Sequence, residues 1–145
     1  MGCKINCESG IISGKSSVDT GKVKRAVEKI RNLGCQRVRF IILYGSASED
    51  RMRARSDIDI CVYYDDEVDR ASEFRLSVLS NLFDDIYDIK IFQQIPVYAR
   101  VEVLKGKVLY CDDRRFLYDK AYETIKEFDS FKRIYYDYIG AEPIR

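Results

Sequence analysis

A short pattern of small and acidic residues near the middle of the chain has the composition of a phosphate and metal site. Gly45 and Ser46 follow an apolar stretch, and ten residues later Asp57 and Asp59 flank a single isoleucine. A glycine at a strand end lets the backbone turn sharply and lets a ligand approach closely. A serine at the start of a helix offers a hydroxyl beside free N–H groups, which favour an anion.

The two aspartates predict a bound cation. Residues two apart on a strand point to the same face, so both carboxylates lie about 7 Å apart and repel each other. Mg²⁺, which prefers oxygen ligands and bridges phosphates, suits such a pair. Asp88, on the next predicted strand, adds a third carboxylate, although Asp84 and Asp85 compete for that assignment. These groups are the parts of metal-assisted phosphoryl or nucleotidyl transfer. The structural alternative is that the aspartates pair with Arg51, Arg53 or Arg55.

Composition removes several other chemistries. The chain has 145 residues, 25 Lys+Arg, 24 Asp+Glu and no histidine. That length favours one domain with its own core. Without histidine there is no Ser-His triad, Cys-His pair or imidazole base, so proton transfer must use a carboxylate, Lys, Tyr, Cys or metal-bound water. The net charge of +1 argues against binding of long nucleic acid or a membrane surface.

The N-terminal segment and the cysteines indicate a cytoplasmic protein without a metal cage. The five cysteines are odd in number and lack zinc-site spacing, and no signal-peptide block precedes them, so reduced thiols are expected. No apolar run is long enough to span a membrane. Residues 1–18 predict a polar leader. Within it, the segment 10–16 is one residue short of a P-loop, and Asn6 stands where a myristoylation signal needs Ser or Thr.

Apolar periodicity predicts the order α-β-α-β-α-β-α-β-α and an α/β (α+β) fold with a small mixed sheet flanked by helices. Residues 19–112 form the predicted core, and residues 113–145 the C-terminal helix that packs on it. The predicted helices cover 23–34, 47–53, 68–82, a short segment from 96, and 114–138. The predicted strands cover 37–44, 57–64, 86–92 and 107–110.

The pattern from Gly45-Ser46 to Asp57-x-Asp59 resembles the signature of the DNA polymerase β-like nucleotidyltransferase superfamily. With the segments 87–91 and 106–110, the chain is similar to the minimal nucleotidyltransferases, the MNT group, over about residues 22–112. The resemblance implies a nucleoside triphosphate bound as a Mg²⁺ complex with two ions. It implies that Gly45 and Ser46 hold the triphosphate and that Asp57, Asp59 and Asp88 bind the metal, with Asp88 also helping to deprotonate the attacking hydroxyl.

One departure from the family pattern lies in the spacer. Many minimal members carry an Arg-Gly pair there, whereas residues 47–56 contain no glycine and include Glu49 and Asp50. The loop over the phosphates is therefore expected to differ in geometry, and retention of catalysis is a question for experiment.

The resemblance also implies a partner. MNT proteins resemble the antitoxins of HEPN-domain toxins, so we expect transfer of AMP from ATP to a tyrosine of a HEPN toxin. Two alternatives stay open: a non-catalytic antitoxin that acts by binding alone, and nucleotidyl transfer to a small molecule. The C-terminal helix ends in a tyrosine cluster, for which covering of the core is favoured and a toxin or homodimer contact stays open. The cluster comprises Tyr135, Tyr136 and Tyr138.

Overall fold

The computed structural model describes residues 20–45 and 57–139, with side chains described over 21–45 and 57–133. The helices are α1 (Thr20–Gly34), α2 (Val68–Leu82), α3 (Val97–Leu104) and α4 (Arg114–Ile139), and the strands are β1 (Val38–Tyr44), β2 (Ile58–Tyr64), β3 (Tyr87–Ile91) and β4 (Lys107–Cys111). Each agrees with its predicted segment to within a few residues. The predicted leader and the short helix over 47–53 lie outside the described residues, and so do the side chains of the C-terminal tyrosine cluster.

The strands form a four-stranded mixed sheet in the order β3-β2-β1-β4, which confirms the predicted fold class. Strand β1 runs antiparallel to both β2 and β4, and β2 is parallel to β3. The C-terminal end of β1 therefore lies beside the N-terminal ends of β2 and β3. This end of the sheet is where the Gly45 and Asp57–Asp59 segments meet.

Helices cover both faces of the sheet. One face packs against α1 and α2 in the larger apolar core, and the other packs against α3 and α4 around a smaller cluster. The alternation of apolar side chains in β2 supplies both cores, because Ile58, Ile60 and Val62 face the first while Cys61 faces the second. A layer of helices on each face leaves the ends of the sheet as the place for polar side chains.

The helices are amphipathic rather than uniformly apolar. The longest of them, α4, buries Leu117 and Thr124 but exposes Tyr118 and Tyr122. Within the two described ranges, no helix is both long and apolar enough to cross a membrane.

Candidate active site

Strand pairing brings three of the predicted site segments together at one end of the sheet. Tyr44, the last residue of β1, is the direct partner of Asp59 in β2, and Asp59 is in register with Asp88 in β3. Paired residues on neighbouring strands point to the same face. The two carboxylates and the Tyr44 side chain therefore share the face that α3 and α4 cover elsewhere.

Gly45 closes this site from the β1 side. Its φ of +75° lies in the left-handed region that favours glycine. A Cβ atom at this position would lie 2.5 Å from Oδ2 of Asp59, so the close approach also requires glycine. The backbone at the end of β1 thus lies directly against a candidate metal ligand. Ser46, the other predicted phosphate-binding residue, lies outside the described residues.

The carboxylate pair is electrostatically unfavourable without a cation. Burial raises the pKa of Asp59 to about 6, and the charge of Asp88, a hydrogen bond with Asp88 and the charge of Asp57 add to the effect, while Lys90 opposes it. A shift in this direction means that burial and the neighbouring charge of Asp88 work against the ionised form of the Asp59 carboxyl. A divalent cation beside the two carboxylates would offset their mutual repulsion, which is the second cause of the shift.

The structure distinguishes Asp88 from the two aspartates that compete with it in the sequence, Asp84 and Asp85. Asp84 serves the turn before β3, since its Oδ1 accepts a hydrogen bond from the Ile86 N–H at 3.2 Å and its other oxygen lies 3.8 Å from Lys22 Nζ. Asp85 is exposed in the same turn. Only Asp88 of the three lies in register with Asp59. Strand register therefore favours Asp88 over Asp84 and Asp85 as the third candidate ligand, and its role stays a prediction.

Comparison with known proteins identifies the family of the chain. The family model described as "Polymerase beta, Nucleotidyltransferase" matches residues 28–115, which include the whole sheet. The chain belongs to this family. It is also 37% identical to the Putative protein adenylyltransferase MJ1547 of Methanocaldococcus jannaschii over 98 residues, which are 67% of this chain and 69% of that protein. The predicted nucleotidyltransferase class is confirmed.

Solved structures with the same fold include toxin–antitoxin complexes. A chain of the MntA–HepT complex superposes with a TM-score of 0.63 at 18% identity, covering 83% of this chain and 96% of that one. A toxin–antitoxin complex with AMP-PNP gives a TM-score of 0.64 at 21% identity, covering 81% and 95%. The tri-AMPylated HEPN toxin of Shewanella oneidensis with its MNT antitoxin gives 0.63 at 19% identity, covering 83% and 95%. At these identities the likeness shows the nucleotidyltransferase fold.

Asp57, the third predicted metal ligand, lies near Asp59 and Asp88 but is not grouped with them. Asp57 is exposed and lies one residue before β2, close enough for its charge to raise the Asp59 pKa. Over residues 20–45 and 57–139, no three Asp, Glu or Cys side chains are already grouped as a metal cage. The donor set nevertheless fits Mg²⁺, because it consists of carboxylate oxygens whose mutual repulsion a hard cation relieves.

Two side chains at this candidate site were not among the site residues predicted from the sequence. Lys90 Nζ lies 3.4 Å from Asp88 Oδ2, and the Tyr44 hydroxyl is buried on the same face. The signal for Lys90 was present, because it stands two residues after Asp88 on the same strand. Tyr44 could be placed only through its pairing with Asp59, which is a tertiary contact.

Proposed function

We propose that this protein is a Mg²⁺-dependent adenylyltransferase that transfers AMP from ATP to a hydroxyl of a protein, namely a tyrosine of a HEPN-domain toxin. The observation that carries the proposal is the in-register pair Asp59–Asp88 beside the Gly45 backbone, in a chain of the nucleotidyltransferase family. A half-exposed pair of carboxylates whose neighbouring cation among the described residues is Lys90 would gain from the positive charge of a metal–nucleotide complex. The choice of AMP and of a protein acceptor is supported by the name of the M. jannaschii relative.

In the reaction, the acceptor oxygen forms a bond to the α-phosphorus of ATP. The bond from that phosphorus to the bridging oxygen breaks, and pyrophosphate leaves. Gly45 and Ser46 hold the triphosphate, while Asp57, Asp59 and Asp88 would hold the metal. Mg²⁺ at this place supplies positive charge that stabilises the phosphates as charge develops on them. Asp88 accepts the proton of the attacking hydroxyl, a role for which the chain has no histidine.

The HEPN partner is supported by the fold neighbours. One of them is a complex whose HEPN toxin is tri-AMPylated, and another contains AMP-PNP. A chain of similar fold, with a carboxylate pair open at one end of its sheet, presents a site that a protein tyrosine can approach. The choice of a HEPN-domain protein as the acceptor thus rests on analogy with these complexes.

The test is transfer of label from ATP that carries it at the α-phosphate. The full chain is incubated with Mg²⁺ and a HEPN-domain protein encoded in the same genome, and the labelled residue is found by mass spectrometry. Asp57→Asn and Asp59→Asn should each lower the rate by about 1000-fold, because removing a metal ligand costs several kcal/mol of transition-state stabilisation. Asp119→Asn, an exposed aspartate of α4, is the matched control and should keep the normal rate.

Two outcomes would contradict the proposal in different ways. Full labelling by Asp57→Asn and Asp59→Asn would overturn the site assignment. A wild-type chain that neutralises its partner without labelling it, and shows no Mg²⁺-dependent nucleotide binding by calorimetry, would instead support a non-catalytic antitoxin. Labelling of a small molecule instead of the protein would show that the acceptor is a small molecule and not a protein hydroxyl.

A further inference from the structure

One polar group at the candidate site is still without a role. Tyr44 ends β1 and pairs directly with Asp59, and Asp59 is in register with Asp88. The tyrosine and both carboxylates therefore stand on the same face of three neighbouring strands. The Tyr44 ring packs at the margin of the smaller apolar cluster, and a Cβ atom on Gly106 would lie 3.0 Å from Tyr44 Cβ. The ring is thus confined from the β4 side.

The Tyr44 hydroxyl is buried without a hydrogen-bond partner in the part of the chain that the structure describes. Burying a hydroxyl in this state costs folding free energy, and buried tyrosine hydroxyls usually have partners. Phenylalanine would fill the same space without that cost. A hydroxyl kept at the expense of stability, on the same face as a carboxylate pair, indicates a role at that site.

The Tyr44 hydroxyl can donate a hydrogen bond to a carboxylate. Burial, the Cys61 thiol and the charges of Asp59 and Asp88 raise the pKa of Tyr44, so the proton stays on the oxygen near neutral pH. The acceptors on the same face are the oxygens of the carboxylate pair. The two carboxylates lie side by side in register, and Asp88 Oδ2 is 3.4 Å from Lys90 Nζ.

We propose that Tyr44 is a positioning residue of the nucleotidyltransferase site. Its hydroxyl would donate a hydrogen bond to a carboxylate oxygen of Asp59 or Asp88 when these residues hold the metal–nucleotide complex. The bond fixes the orientation of the carboxylates, as hydrogen bonds to the far side of metal ligands generally do. The inference rests on the proposed function, because it assigns Mg²⁺–nucleotide to this pair.

The decisive variant is Tyr44→Phe, which removes one oxygen and keeps the ring. We expect the rate of AMP transfer to fall, or the Mg²⁺ concentration for half-maximal rate to rise, by about 10- to 100-fold. The melting temperature of the metal-free protein should stay the same or rise, because the unpartnered hydroxyl is gone. A hydroxyl with a merely structural role would give the opposite change in melting temperature.

Tyr63→Phe is the matched control. Tyr63 stands on the same face of β2, and its ring packs against Phe40 and Phe116 at the other end of the sheet. Removal of the Tyr63 hydroxyl should leave the rate of AMP transfer and its Mg²⁺ dependence unchanged. This comparison separates an effect at the carboxylate pair from a general effect of removing a tyrosine hydroxyl from that face.

Calorimetric measurement of AMP-PNP binding in the presence of Mg²⁺ distinguishes failure of the proposed function from failure of the Tyr44 role alone. A wild-type chain that neither binds AMP-PNP nor transfers AMP overturns the proposed function and the Tyr44 role together. A wild-type chain that binds and transfers, beside a Tyr44→Phe variant with the same rate and Mg²⁺ dependence, overturns the Tyr44 role alone. A Tyr44→Phe variant with a clearly lower melting temperature also overturns it, in favour of a structural hydroxyl.

Discussion

The two ends of the sheet hold aspartates in opposite electrostatic situations. At the candidate site, Asp59 faces Asp88 across the parallel pair β2–β3. At the other end, the Arg39 guanidinium lies between Asp112, at 2.9 Å, and Asp65, at 3.2 Å. Burial raises the pKa of an aspartate at both ends, but Arg39 opposes the shift of Asp112 whereas Asp88 adds to that of Asp59.

The difference shows which carboxylates serve the fold. Arg39 is held by two carboxylates and also lies over the Phe116 ring, 3.9 Å from its centre, so at that end a cation lies between the acidic groups and links three strands and α4. Although burial works against its charge, Asp112 and Asp65 keep the Arg39 pKa above its ordinary value. The site end has Lys90 on one side only, and its excess negative charge is the feature that a metal–nucleotide complex would complete.

The sharpest way to disturb the site end is Gly45→Ala. The new Cβ would lie 2.5 Å from Asp59 Oδ2, and the φ of +75° strains any residue but glycine. Relief of the contact must move the Asp59 carboxylate, so we expect AMP transfer to fall by about 10- to 100-fold. The backbone strain should cost about 1–2 kcal/mol of unfolding free energy, measured by urea denaturation.

Gly21→Ala is the matched glycine control, since Gly21 lies exposed in α1. Alanine there should raise stability slightly because it favours the helix, and the transfer rate should not change. If Gly45→Ala were as stable and as active as the wild type, the close packing of the β1 backbone on Asp59 would have no functional meaning.

At the structural end, Arg39→Met should have the converse effect. Loss of the guanidinium leaves Asp65 and Asp112 without their shared partner, and we expect a loss of about 1–2 kcal/mol of unfolding free energy. The transfer rate should stay within about twofold, because the residue lies at the far end of the sheet from the carboxylate pair. Arg70→Met, at an exposed position of α2, should change stability by less than about 0.5 kcal/mol. A large loss of transfer in Arg39→Met, with stability retained, would contradict the division into two ends.

The local sequence pattern was sufficient to predict the helices and strands, but it was not sufficient to predict how the strands pair in the sheet. Alternation in β2 and β3 placed Asp59 and Asp88 on strands, and the buried run of β1 led correctly to Gly45. Register is a property of pairing between distant segments, so neither the partnership of Tyr44 with Asp59 nor the choice of Asp88 over Asp84 could be read from spacing. The roles of the site residues stay predictions that the variants above test.

The smallest expected effect is on the pH dependence of stability. It measures how much the ionised Asp59 carboxylate lowers the free energy of unfolding. In the folded protein the Asp59 pKa is about 6, above its ordinary value of 3.8, so between these pH values the folded state binds more protons than the unfolded state. The stabilising contribution of protonated Asp59 is complete below pH 3.8 and is lost as the pH rises through 6. Urea denaturation from pH 4 to 8, in the presence of a chelator, should show this decline for the wild type.

Asp59→Asn removes the titration while keeping a group that can donate to Asp88. Its stability relative to the wild type should therefore increase from pH 4 to about 6 and then remain constant, by about 1 kcal/mol, since water screens a partly exposed carboxylate. Asp119→Asn should show no such trend. Saturating Mg²⁺ should restore the wild type above pH 6 and leave Asp59→Asn unchanged, because only the ionised pair gains from the cation. A pH-independent difference between Asp59→Asn and the wild type would mean that the two carboxylates do not repel, and the contrast between the two ends of the sheet would lose its physical basis.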